Sequence, residues 1–135
     1  TESSTYAGNL VACASGLASI EVYEEEGLAD RAAEMGGYFV RRLGELAERH
    51  AVVGEVRGRG LMVAAELVSD RASREPLPAA KAASAAALER GFLLYPGGHY
   101  GNVLAFLPPL IIGEGHVDKA VEVLDEVLLA VPGMK

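Results

Sequence analysis

Apolar residues at Leu28, Ala32, Met35, Phe39, Leu43 and Leu46 recur in steps of four, three, four, four and three. That spacing follows the turn of an α-helix and predicts an amphipathic helix from about Leu28 to His50. A helix with one apolar side must lay that side on another element. Gly36-Gly37 interrupts the run and marks a place where something packs closely.

The partners follow in the chain. Val52 to Val56 and Leu61 to Val68 read as two strands around Gly58-Arg59-Gly60. The stretch Ser69 to Pro78 is polar, carries Pro76 and Pro78, and reads as a loop. Ala79 to Arg90 is an alanine-rich helix ending before Gly91, and Phe92 to Tyr95 is a short strand. Pro96 to Asn102 is a glycine-rich connection, and Val103 to Leu107 is a strand closed by Pro108-Pro109. The last helix, about Glu114 to Val131, places Val117, Ala120, Val121, Leu124, Val127, Leu128 and Val131 on one side. Ahead of all these lies a helix from about Gly8 to Glu26, stopped by Gly27. Its small residues, Ala12, Ala14, Ser15, Gly16, Ala18 and Ser19, permit close approach of another element. The order predicts an α+β fold, a small antiparallel or mixed sheet covered by helices on one face.

At 135 residues the chain fits one compact domain, and a hydrophobic fraction of 50% suffices for its core. A net charge of -7 without a basic stripe argues against nucleic acid and against an anionic membrane surface. No apolar run is long enough to span a bilayer, and no signal-peptide pattern is read at the start. The single cysteine, Cys13, cannot form an internal disulfide, which suits a reducing cytoplasm. Its small neighbours predict a buried, inert thiol.

A search for a self-contained active site fails. His50, His99 and His116 stand at unrelated places without metal-ligand partners, so no metal site is expected. There is no nucleophile elbow and no phosphate-binding P-loop. Gly58-Arg59-Gly60 lacks a third glycine and a strand–helix context, so it reads as a turn. The run Glu24-Glu25-Glu26 reads as a solvated helix end. Arg57 and Arg59 have two readings. A guanidinium on a strand end can hold a substrate carboxylate, or it can pair with Glu55 or Glu66 or cap a helix C-terminus.

Four segments, in order, resemble class III aminotransferases, which are pyridoxal-phosphate enzymes of fold type I. Thr5-Tyr6-Ala7-Gly8-Asn9 is similar to their Thr-aromatic-small-Gly-Asn-Pro segment. Glu24-Glu25-Glu26-Gly27-Leu28 is similar to the end of their linking helix. Val56-Arg57-Gly58-Arg59-Gly60-Leu61-Met62 with Glu66-Leu67 resembles their Val-Arg-Gly-x-Gly-Leu-Met and Glu-Leu. Tyr100 to Leu110 looks like the strand near the active site in bacterial 4-aminobutyrate aminotransferases. Two positions depart from the pattern. Leu10 replaces the family's proline, and Ala105 stands where 4-aminobutyrate and ornithine aminotransferases have a carboxylate-binding arginine.

The resemblance implies the C-terminal part of such an enzyme. Residues 1–26 would be a cofactor-loop remnant and linking helix, and residues 27–135 the small domain. The Schiff-base lysine would lie upstream of Thr1, so no catalytic residue is expected here. Lys81, Lys119 and Lys135 match no motif of the family. The implied cofactor is pyridoxal 5'-phosphate. Thr5 would reach the cofactor phosphate of a neighbouring subunit, which implies a homodimer with its active site at the interface. The implied partners are a small amine or amino-acid donor and a 2-oxo acid, with Ala105 setting substrate choice. The competing reading is a free-standing, non-catalytic α+β binding or dimerisation module.

Overall fold

The computed structural model describes residues 5–131. Two helices, α1 (Leu10–Glu25) and α2 (Leu28–Arg49), precede the hairpin of β1 (Val53–Arg59) and β2 (Met62–Asp70). Then come β3 (Glu75–Pro76), α3 (Ala80–Leu88), β4 (Tyr95–Gly97), β5 (Val103–Phe106) and α4 (Glu114–Ala130). The main sheet runs β1-β2-β5-β4, every pairing antiparallel, and β3 adds to the far end of β2. The α+β expectation holds.

Alternation along the strands decides the layers. Val63, Ala65 and Leu67 of β2 and Leu104 and Phe106 of β5 are buried on one face. Phe39, Leu43 and Leu46 of α2, Ala80, Ala83 and Ala87 of α3, and Val117, Val121, Leu124, Val127 and Leu128 of α4 pack onto it. Phe39 meets Phe106 edge-on, with ring centroids 5.0 Å apart. Fully burying each such side chain is worth about 1.5–3 kcal/mol, which makes the stripe on α2 the anchor of the fold. The interruption at Gly36 has its reason in space. A Cβ there would lie 2.0 Å from the carbonyl oxygen of Gly60, which itself turns the hairpin at φ 53°.

Polar groups tie the helices together at their ends. Arg71 donates from Nε and Nη2 to the Val53 carbonyl at 3.1 and 2.8 Å, and from Nη2 to the carbonyls of His50 (3.2 Å) and Ala47. It thereby satisfies acceptors at the C-terminal end of α2, where a cation is favoured. Nε2 of the largely buried His50 bonds Asp125 of α4, which also pairs with Arg49 at 3.0 Å. His50, then Arg49, hold the Asp125 carboxyl below its ordinary range. Arg42 and Tyr38 do the same for Asp118.

Four expectations need correction. The segment 69–78 is not wholly loop, because Glu75–Pro76 pairs with β2. Proline is tolerated there because the strand is an edge. The fourth strand begins at Tyr95, not Phe92. Leu94 instead turns inward, and its carbonyl accepts from Ser84 at 2.6 Å. The first strand runs on to Arg59, since hairpin pairing continues up to the turn. Cys13 is exposed, not buried. The reason is α1 itself, in which no residue is buried; Leu10, Val11, Leu17 and Ile20 all face outward.

Candidate functional site on the open sheet face

The helices cover one face of the sheet, and the other carries the side chains that the alternation turns away from the core. Register aligns them. Arg57 lies opposite Ala64, Ala64 opposite Ala105, and Ala105 opposite Tyr95, one row across four strands. The next row is Glu55, Glu66, Val103 and Gly97, and Arg59 faces Met62 on the other side. Ala64 and Ala105 are partly exposed and Tyr95 is exposed, so the row is an open lane with an arginine at one end and a phenol at the other.

The lane's charges are partly committed. Arg57 donates from Nη1 to Glu66 Oε2 at 2.7 Å and lies 3.6 Å from Glu55, which also takes Arg74. The ion-pair reading of Arg57 is thus realised. Arg59 forms no ion pair among the described residues.

The connection after β4 is built tightly. Gly98 has φ 82°, and a Cβ there would meet Val103 Cγ2 at 2.7 Å, so only glycine fits. Buried Asn102 donates from Nδ2 to the Leu67 carbonyl at 3.1 Å, while Leu67 N–H donates to its backbone oxygen at 2.7 Å. These bonds fix the start of β5 and hence the position of Ala105. Beyond the other end of β5, Phe39, Phe92, Leu93, Pro109 and Ile111 line an apolar cleft of about 520 Å³ with His116 among its walls.

Thr5 stands elsewhere, exposed in the turn before α1. There the Asn9 N–H donates to the Tyr6 carbonyl at 3.1 Å, with Gly8 at φ 75°. Asn9 Oδ1 accepts from the Ala12 N–H at 3.0 Å, so Asn9 caps the helix and Thr5 does not. No hydrogen bond joins the Thr5 turn to the Ala105 strand among the described residues. Lys81 is on α3 and Lys119 on α4, where Glu122 engages it at 3.0 Å; Lys135 lies outside the described residues. No cluster able to hold a metal ion occurs among the described residues. None of their helices is long and apolar enough to cross a membrane.

Sequence reasoning missed Tyr95 and Ala64 as neighbours of Ala105. The hairpin offered half the signal, since a tight turn at Gly60-Leu61 puts Arg57 opposite Ala64 by counting. The β2–β5 pairing is non-local and has no such count.

The fold is shared with solved PLP-dependent transaminases. The class III aminotransferase family matches residues 1–128, and the chain belongs to that family. It is 41% identical over 122 residues to alanine–glyoxylate aminotransferase 2 homolog 2 of Arabidopsis thaliana, covering 90% of this chain and 26% of that protein. It is 41% identical to the 5-aminovalerate aminotransferase of Pseudomonas putida, covering 90% of this chain and 29% of that one. A PLP-bound amine transaminase from an uncultivated Pseudomonas species superposes with a TM-score of 0.85 at 38% identity, covering 94% of this chain and 29% of that one. The chain thus spans under a third of these relatives.

Proposed function

We propose that this chain is the C-terminal part of a pyridoxal-phosphate-dependent aminotransferase, which moves an amino group from an amine or amino-acid donor to a 2-oxo acid. The observation that carries the reading is the family match along residues 1–128 of a chain covering under a third of its relatives. In this reading residues 1–26 form a cofactor loop and linking helix, and residues 27–135 the small domain. The chain alone is inactive, because its described lysines lie on α3 and α4 and match no Schiff-base motif.

The residues present suit one edge of the cofactor, its phosphate. Thr5 offers an exposed hydroxyl just ahead of a helix start that has no acidic residue in its first turn. Such a start favours an anion. When bound, the cofactor supplies the electron sink for amino transfer. The part assigned to this chain is to hold the phosphate through Thr5 and to present the donor to the open sheet face at Ala105. Thr5 serves the cofactor of a neighbouring subunit, which makes the active form a homodimer. A single cysteine, and that one exposed, suits a reducing cytoplasm.

Ala105 governs donor choice because a methyl group cannot pair with a carboxylate. The whole enzyme is therefore expected to use 4-aminobutyrate poorly. The test is a donor panel on the full-length aminotransferase, wild type against Ala105→Arg, with cofactor absorbance followed in parallel. Cofactor retention and amino transfer are expected, with 4-aminobutyrate turnover rising in the variant. A protein that neither retains the cofactor nor transfers an amino group overturns the activity. Efficient wild-type use of 4-aminobutyrate, unchanged by arginine, overturns the role of Ala105.

A further inference from the structure

We propose that Arg57 anchors the distal carboxylate of a long amino donor lying across Ala64 and Ala105, and that Glu66 holds its guanidinium in place until the donor arrives. The inference rests on the aminotransferase reading and names the specificity residue of that same face.

Direct cross-strand opposition puts Arg57, Ala64, Ala105 and Tyr95 on one face in one row. Adjacent strands are about 4.8 Å apart, so Arg57 sits roughly 10 Å from Ala105 across the sheet. Only the Ala64 methyl stands between them, so a ligand lying along the row meets no side chain that would block it. The Arg57 guanidinium uses Nη1 alone, toward Glu66 at 2.7 Å and Glu55 at 3.6 Å. Its Nε and Nη2 have no hydrogen-bond partner among the described residues. Two parallel N–H donors are what a bidentate carboxylate contact needs.

The present ion pair is easy to share. The Arg57 side chain is 45% exposed while that of Glu66 is 21% exposed, and a carboxylate arriving at the free Nε–Nη2 edge leaves the Nη1 bond to Glu66 in place. Glu66 keeps the guanidinium on the row beside the lane rather than free in solvent, which lowers the ordering cost of capture. An anchor set two strands away from position 105 favours a donor longer than one gripped at position 105 itself.

The test uses the full-length aminotransferase and two matched donors, 6-aminohexanoate and hexylamine, which differ only in the carboxylate. In Arg57→Met, kcat/KM for 6-aminohexanoate should fall about tenfold or more, the equivalent of one good charge-assisted hydrogen bond. Hexylamine should change by less than about twofold. Arg57→Lys should recover part of the difference, and Glu66→Gln should keep the discrimination between the two donors. Calorimetric binding of adipate, which carries no amine, should weaken in Arg57→Met. Equal losses for both donors, or no loss with unchanged adipate affinity, would mean that Arg57 only braces the sheet, and the proposal fails. If no donor reacts in the wild type, the aminotransferase reading fails instead, and adipate binding still decides the role of Arg57. Should Arg57→Met not fold, Arg57→Gln carries the same comparison.

Discussion

Gly36 of α2 and Gly60 of the β1–β2 turn touch backbone to backbone, so close that a Cβ on Gly36 would lie 2.0 Å from the Gly60 oxygen and 2.4 Å from its carbonyl carbon. This contact presses the main helix onto the hairpin and leaves no room for any side chain at position 36.

Two adjacent glycines should therefore respond in opposite directions. Gly36→Ala must push α2 off the hairpin and should cost about 2–3 kcal/mol, in the range of an overpacked core. Gly37→Ala meets nothing within 4 Å and should stabilise the helix by about 0.5–1 kcal/mol. Denaturant midpoints of the two variants check both signs. Equal effects would show that the contact is not close-packed in solution.

The His50–Asp125 contact makes stability depend on acid. The folded Asp125 carboxyl titrates below its ordinary range because of His50 first and Arg49 second. Its contribution is therefore complete above the unfolded value of about 4 and is lost as pH falls through the lower folded value. Wild type should exceed Asp125→Asn in stability at neutral pH, and the gap should close in the acid limb below about pH 4. Denaturation across pH checks this, and a gap that widens on acidification contradicts it.

Arg71 should matter more than an exposed arginine usually does. Arg71→Met removes donors to the carbonyls of Ala47, His50 and Val53 and should cost about 1 kcal/mol. Lys119→Met, which loses only an exposed pair with Glu122, should stay within about 0.5 kcal/mol. Thermal melts of the two variants supply the comparison.

Thr5 and Asn9 should separate cofactor from helix. In the full-length enzyme Thr5→Val should weaken cofactor retention and leave stability nearly unchanged, because the cap belongs to Asn9. Asn9→Ala should lose about 1 kcal/mol of stability. Unchanged cofactor affinity in Thr5→Val would remove Thr5 from the site.

The bare surface of α1 should drive self-association of the isolated chain. Sedimentation velocity on the chain with and without residues 1–26 should show association only in the longer form. Equally monomeric behaviour would contradict this.

The stripe from Leu28 to Leu46 was legible because a helical period is local and strong. The hairpin was legible from its glycines, although its first strand looked shorter than it is. Pro76 hid β3, since a two-residue edge strand with a proline looks like a loop. Phe92 to Leu94 looked like a strand because apolar residues serve packing and pairing alike. Cys13 was misplaced because small neighbours suggest burial without saying what does the burying. Ala105 was found by resemblance, but its row with Arg57 and Tyr95 depends on strands far apart in sequence.

The junction between the first two helices has a mechanical consequence. Gly27 holds φ 59° with nothing within 4 Å of where a side chain would begin, while Leu28, the next residue, is buried at the start of α2. The last fixed point of the domain and the first free one are therefore neighbours in the chain. Rotation about Gly27 would re-aim α1 at the expense of its few contacts with the start of α2, where Leu28 shares a groove with Val22 and Tyr23, and would leave α3, α4 and the sheet undisturbed. A force applied through α1 would arrive at the domain as a change of direction and not as a loss of structure.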